Sequence, residues 1–494
     1  MALVTDKFRI YAAEAFRNTL GSSGSDANKV YLFVGRAKAW GSPDSPPTNE
    51  PIDSFTYHRS AYADSVAFKR VDITDTSLVV PRVDWIDPTE TTGGTGRTYS
   101  MYKPDYSPSK TTANGATRLY DSNFYVMNSD FNVYKCLYNG QSPTYPRGRP
   151  SLVEPTGTST SVITTGDGYK WKYMYTLSAS EQSNFLSTDF MAVSTNSTVS
   201  SAAVDGALDI VKIKTAGSSY TVSGGGASGT ITAIPIRGDG SGGICSVTLS
   251  SGAISAVTVT TAGTGYTSGY IRNADIIAGT GAGGAGSGAE LDVIIPPKGG
   301  HGFNAVEELG GFFVMLNTTL EGTESSNSGD FTAANDFRKI TLIKNPNTAA
   351  GSAATATTLR GTYAVKINTS PTPGTFVADE EINQATTGAV GKVVEWDATN
   401  KILYYIQTRH NDAGADANGN VTAFSGVNVI TGQTSSATGT PQNTTSTVNN
   451  VSFTSGYAAP ELKHDTGEIL YVENRTKIAR ATDQTENIKL IIEF

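Results

Sequence analysis

Strict alternation marks the stretch from Tyr169 to Leu177. Tyr169, Trp171, Tyr173, Tyr175 and Leu177 share one face, while Lys170, Lys172, Met174 and Thr176 share the other. Period two is that of a β-strand, so the segment is expected as a strand with its aromatic face buried and its lysine face in water. The chain ends in the same pattern, with Ile488, Leu490, Ile492 and Phe494 alternating against Lys489, Ile491 and Glu493, and a terminal strand is expected there. Helical periodicity is scarce. Between Thr5 and Leu20 the residues Phe8, Ala12, Ala15, Phe16 and Leu20 fall on one stripe, with Thr5 placed to cap the start and Gly21 to stop the end. Ser178-Ala-Ser-Glu181 is a capping-box pattern ahead of Phe185 and Leu186 and predicts a second, shorter helix. KVVEW (392–396), Asp397-Ala-Thr-Asn400 and KILYYIQ (401–407) read as strand, turn and strand. The expected fold is mainly β with few short helices.

Two stretches break the pattern. From about 205 to 299 aromatic residues almost vanish and glycine clusters, and the stretch repeats itself: LDIVKIKTAGSSYT (208–221) aligns with ISAVTVTTAGTGYT (254–267) at an offset of 46. A duplicated strand-turn unit is expected, its glycines serving positive-φ turns and its tyrosines capping a small core. From about 352 to 456 the chain is rich in Thr, Asn and Ala, whereas His301 to Pro346 regains the aliphatic and aromatic content of the N-terminal part. That alternation predicts a parent domain in three segments, 1–204, 300–351 and 457–494, carrying two inserted small β domains, 205–299 and 352–456.

Composition narrows the chemistry. Of 494 residues 52 are glycine, and charged residues make up 17% against about 25% in an average domain, which favours turns and tight strands. A net charge of −8 without a basic block disfavours binding nucleic acid through phosphates. No apolar run approaches the ~20 residues that span a bilayer, so no membrane is expected, nor export by a standard signal. Cys136 and Cys245 stand alone and form neither a disulfide framework nor a metal clamp. His58, His301, His410 and His464 sit in no catalytic motif. Gly238–Gly243 and Gly279–Gly284 match the letters GxGxxG, but strand-like sequence follows each where a dinucleotide loop needs a helix. HNDAGADANGNV (410–421) imitates a calcium loop, yet the register that uses Asp416, Asn418 and Gly419 puts Gly414 and Ser425 where the first and last carboxylates belong. Arg147 and Arg149, in PRGRP, read as a loop making carbonyl hydrogen bonds. No catalytic residue, cofactor or metal is expected.

Several segments, in order, resemble one family: the baseplate wedge subunit encoded by gene eight of T-even-type contractile-tailed phages. They are the helix ending near Leu20, VYLFVGRAKAW with Gly35, Arg36 and Trp40, then VVPRVDW (79–85), VYKCL (133–137), GDGYKWKYMY (166–175), FRKITLIKNP (337–346), and GEILYVENRTKIARATDQTENIKLIIEF (467–494). The resemblance stops at the two compositional breaks. It implies a layered β-sandwich subunit of the virion tail baseplate, assembled in the host cytoplasm. It further implies a homodimer that connects peripheral and inner-ring wedge proteins, without catalysis. In its light Trp40, Trp85 and Trp171 are expected as core aromatics, and Arg36, Arg82 and Arg475 as paired or interface arginines. A rival expectation is a β-rich adhesin or depolymerase acting on host glycans, with the inserts touching the glycan; repeats running through the chain would favour it, and here the repeat is confined to 205–299.

Overall fold

The computed structural model describes residues 4–21, 28–35, 39–42, 44–47, 55–86, 99–100, 124–140, 148, 150–321, 336–407, 414–417, 420–479 and 485–494. The protein is mainly β, built from antiparallel sheets with few helices. It forms two compact units, one from 1–14, 77–315 and 492–494, the other from 15–76 and 316–491.

In the first unit the aromatic stretch is the strand Tyr169–Thr176, in a four-stranded sheet ordered Tyr125–Met127, Asn132–Asn139, Tyr169–Thr176, Ile163–Thr164. Cys136 lies opposite Trp171 across the ladder, and Tyr169 stacks on Trp171 at 5.4 Å between ring centroids. Val126, Tyr134, Cys136, Tyr169, Trp171, Tyr173 and Val199 close into one core, with Val83 and Trp85 packed against it. Both cysteines are buried free thiols, and burial raises the thiol pKa of each. The short helix Ala179–Phe185 carries the expected box, with Glu181 N donating to Ser178 Oγ and Ser178 N to Glu181 Oε2.

Residues 205–299 fold on a core of their own, made from Leu208, Val211, Tyr220, Ile231, Ile234, Cys245, Val247, Tyr266, Leu291 and their neighbours. The repeat governs it. The strand Ile210–Ser218 pairs with Ser287–Ile294, and Ala253–Thr261 pairs with Ile244–Ser250. The pairs Ile210–Ile294, Val211–Val293, Lys212–Asp292, Ile213–Leu291 and Thr215–Glu290 recur, shifted by 46 residues, as Ala256–Thr248, Val257–Val247, Thr258–Ser246, Val259–Cys245 and Thr261–Ile244. The first strand of each half thus pairs with the last strand of the other, a reciprocal exchange with pseudo-two-fold symmetry. It exposes a second half of the repeat, GSGGICSVTL (240–249) against GSGAELDVII (286–295), too divergent to stand out by itself.

In the second unit a five-stranded sheet runs Thr358–Arg360, Ser65–Val71, Val30–Gly35, Phe337–Lys344, Glu468–Ile478. VYLFVG lies near its middle and is buried on both faces, which explains an apolar run without alternation. Gly35 ends that strand at a register shift where an added Cβ would strike the Asp64 carbonyl. Tyr31, Phe33, Tyr62, Phe68 and Ile343 form the core beneath it. A separate core of Val365, Ile367, Phe376, Ile382, Val393, Leu403, Tyr405 and Phe424 supports a seven-stranded sheet. Within that sheet Ala389–Asp397 and Ile402–Ile406 form the expected hairpin, its turn held by Thr399 N and Asn400 N donating to Asp397 Oδ1.

The first helix spans Asp6–Gly21, with the Phe8 amide donating to Thr5 Oγ1. Its buried stripe differs from the expected one. Ile10, Ala13 and Leu20 face inward, while Phe8 is 60% and Tyr11 68% exposed. The sequence offers two overlapping apolar stripes about a third of a turn apart, and counting apolar residues favoured the one with more aromatic mass.

Candidate functional site

Trp171 is fully buried. Trp40 and Trp85 are half-buried, Trp85 packing against the core of Trp171, and each turns its indole N–H to an acceptor: Trp40 to the Arg475 carbonyl at 2.7 Å and Trp85 to Ser151 Oγ at 3.2 Å. Arg82 is doubly held, its Nε 2.9 Å from both Asp84 carboxylate oxygens and its Nη1 donating to the Ser187 carbonyl. Arg475 stands 3.5 Å from Glu473. Arg36, Arg147 and Arg149 lie outside the described residues, as do His410, Asn418 and Gly419 of the calcium-like loop. Asp416 of that loop is exposed and accepts from Asn420 N, an ordinary turn contact. Among the described residues no group of three His, Cys, Asp or Glu side chains could hold a metal.

The glycine motifs do packing work. Strands follow both, Ile244–Ser250 and Ser287–Ile294. Gly240 and Gly243 of the first lie against the Tyr266 ring, Gly279 of the second against Ile231, and Gly286, just past it, against Tyr220. The two tyrosines are bonded alike: Gly243 N donates to Tyr266 Oη and Ala289 N to Tyr220 Oη, again 46 residues apart.

The lysine face of Tyr169–Thr176 is not wet. Lys172 is 6% exposed and Lys170 half-buried, and the backbone at Gly302 lies against the Lys172 side chain. Next to it lies a buried ionic centre that sequence reasoning missed. Lys135 Nζ is 3.1 Å and His301 Nδ1 3.0 Å from Glu308 Oε2, and Gly302 N donates to Oε1. Burial alone would raise the Glu308 pKa; the Lys135 charge, His301 and the Gly302 amide outweigh it and hold the carboxylate down at about 2. Asn304 caps the helix Ala305–Leu309 that carries Glu308, and Gly310 ends it in the left-handed conformation. The legible signal was a lysine inside the apolar strand VYKCL. Lys339, inside FRKITLI, is the same case: its Nζ is 2.8 Å from the buried Asp64 carboxylate.

No family model matches the chain. Over 204 residues it is 26% identical to the protein of Enterobacteria phage T4 described as "Baseplate wedge protein gp8". The match covers 39% of this chain and spans 60% of the length of that relative.

Proposed function

We propose that the chain is a structural subunit of a contractile-tail baseplate wedge, located in the virion tail and assembled in the host cytoplasm. The observation that carries this reading is the 204-residue similarity to the T4 wedge protein. It is supported by where the motifs of the resemblance fall: VYLFVG, VYKCL, YKWKYMY and FRKITLIK are sheet strands with mostly buried residues. They are the scaffold of both compact units, which two related chains must share even at low identity. The subunit acts by shape and contact and not by catalysis, and as a homodimer it connects peripheral wedge proteins to the inner ring. Residues 205–299 and 352–456 are inserts in the parent domain that decorate it without making the essential wedge contacts.

Antibody raised against the isolated protein is expected to label the baseplate end of intact tails in electron micrographs. Label on the capsid, or none on virions, would remove the baseplate assignment. Light scattering after size exclusion should give about twice 51.8 kDa; a monomer that also fails to pair in the presence of wedge partners counts against the connecting role. A phage whose protein has both inserts replaced by short Gly/Ser linkers should still close hexagonal baseplates, and stalling at single wedges would make the inserts assembly elements.

A further inference from the structure

A cavity of about 480 Å³ opens in the first unit beside the buried ionic centre. Lys170 and Lys172 come to it from the aromatic strand, Asp209 from the start of the glycine-rich region, and His301 from the loop before the helix of Glu308. Thr160, Ser161, Thr164, Thr258 and Thr260 add hydroxyls to the wall. The charged groups are incompletely matched by protein. Lys172 Nζ carries three donors, and among the described residues its acceptor is the Thr160 carbonyl at 2.5 Å. Lys170 Nζ has no acceptor among them and stands 6.0 Å from the Tyr138 ring centroid. Asp209 accepts no hydrogen bond from them either, though His301, Lys172 and Lys170 act on it through space. Burial raises the Asp209 pKa against those three charges, and burial lowers those of both lysines against the pull of Asp209. Lys170 and Asp209 are half-buried, so each is partly stripped of water yet open to the cavity, which favours an occupant that supplies partners to both.

We infer that this cavity binds a sugar acid, with its carboxylate or phosphate on the Lys170 and Lys172 ammonium groups and its hydroxyls donating to the Asp209 carboxylate. An anion alone would leave Asp209 repelling it, and a neutral sugar would leave the lysines unmatched; a hydroxylated anion answers both. The volume falls within the ~300–1,000 Å³ range of small-molecule sites. A free sugar acid and the acidic end of a polysaccharide share this chemistry. The inference stands on the cavity and is independent of the baseplate assignment.

The test uses the full chain in ligand-observed NMR and thermal melting, with glucuronate, glucose 6-phosphate, glucose and inorganic phosphate as probes. Saturable binding of glucuronate or glucose 6-phosphate is expected, tighter than that of glucose or phosphate. Lys170→Gln, at a half-buried site, should weaken the acid about tenfold, as loss of a charge-assisted contact does, and Asp209→Asn should reduce the preference for the sugar acid over bare phosphate. An oligosaccharide ending in glucuronate that binds more tightly than the monosaccharide identifies the polymer as the source; the reverse identifies the free acid. No saturable binding at millimolar sugar acid, equal binding of neutral glucose, or binding that survives Lys170→Gln unchanged in a folded variant would overturn the inference.

Discussion

Glu308→Gln is expected to destabilise the first unit by about 3–5 kcal/mol, the cost of leaving a buried charge without its partner. Lys135 and Glu308 side chains are 6% and 2% exposed, so water cannot replace the lost carboxylate. The pH dependence has a definite sign. The folded pKa of Glu308, about 2, lies below its ordinary 4.5, so the carboxylate contributes its full stability above pH 4.5 and loses it as pH falls through the folded value. Protection factors of the Asn132–Asn139 and Tyr169–Thr176 amides, taken against the intrinsic exchange rate at each pH, should therefore fall in the wild type between about pH 4.5 and 2, and the variant should lack that pH-dependent part. The double change Lys135→Met with Glu308→Leu should recover part of the loss, since it removes the unpaired lysine charge but leaves the Gly302 amide and His301 without their acceptor. Full stability in Glu308→Gln alone would mean that Lys135 finds another route to solvent.

How far the sequence reveals this arrangement depends on whether a signal is local. Tyr169–Thr176, the capping box at Ser178 and the hairpin around Asp397 were legible because period two, a cap three residues from its partner and an Asx turn are all written within a few positions. The buried face of the first helix was not, because Ile10 and Phe8 are equally apolar, and only tertiary packing chooses between their stripes. The lysine face of Tyr169–Thr176 was misread for a related reason. Alternation with lysine normally marks water, yet here the backbone at Gly302, far along the chain, lies against Lys172 on that face. The partner of Lys135 lies 173 residues away, and nothing near either residue announces the other. For the proposed cavity the chemistry-bearing residues were visible one at a time, but Lys170, Asp209 and His301 converge only through the fold.

Gly240→Ala and Gly286→Ala should damage the glycine-rich region alike, and each should loosen both of its ladders. An added Cβ at Gly286 overlaps the Tyr220 ring, and one at Gly240 overlaps the Tyr266 ring; Gly286 also sits at φ +122°. Both tyrosines are buried and fix their hydroxyls to backbone, so the rings cannot simply swing away. From the other side, Gly217 and Gly263, at φ +65° and +67°, bring backbone so close that an added Cβ would lie 2.7 and 2.8 Å from the same rings. Overpacking of this kind costs about 1–3 kcal/mol, which corresponds to exchange roughly five- to 150-fold faster. Because Tyr220 belongs to the first half of the repeat and Gly286 to the second, the damage from Gly286→Ala should spread to Ile244–Ser250 and Ala253–Thr261 as well as to Ile210–Ser218 and Ser287–Ile294. Protection lost in the last two strands alone would mean that each ladder holds independently. Equal loss in all four from either single substitution would mean that exchange of strands between the halves makes one cooperative unit out of two sequence repeats that neither half could bury alone.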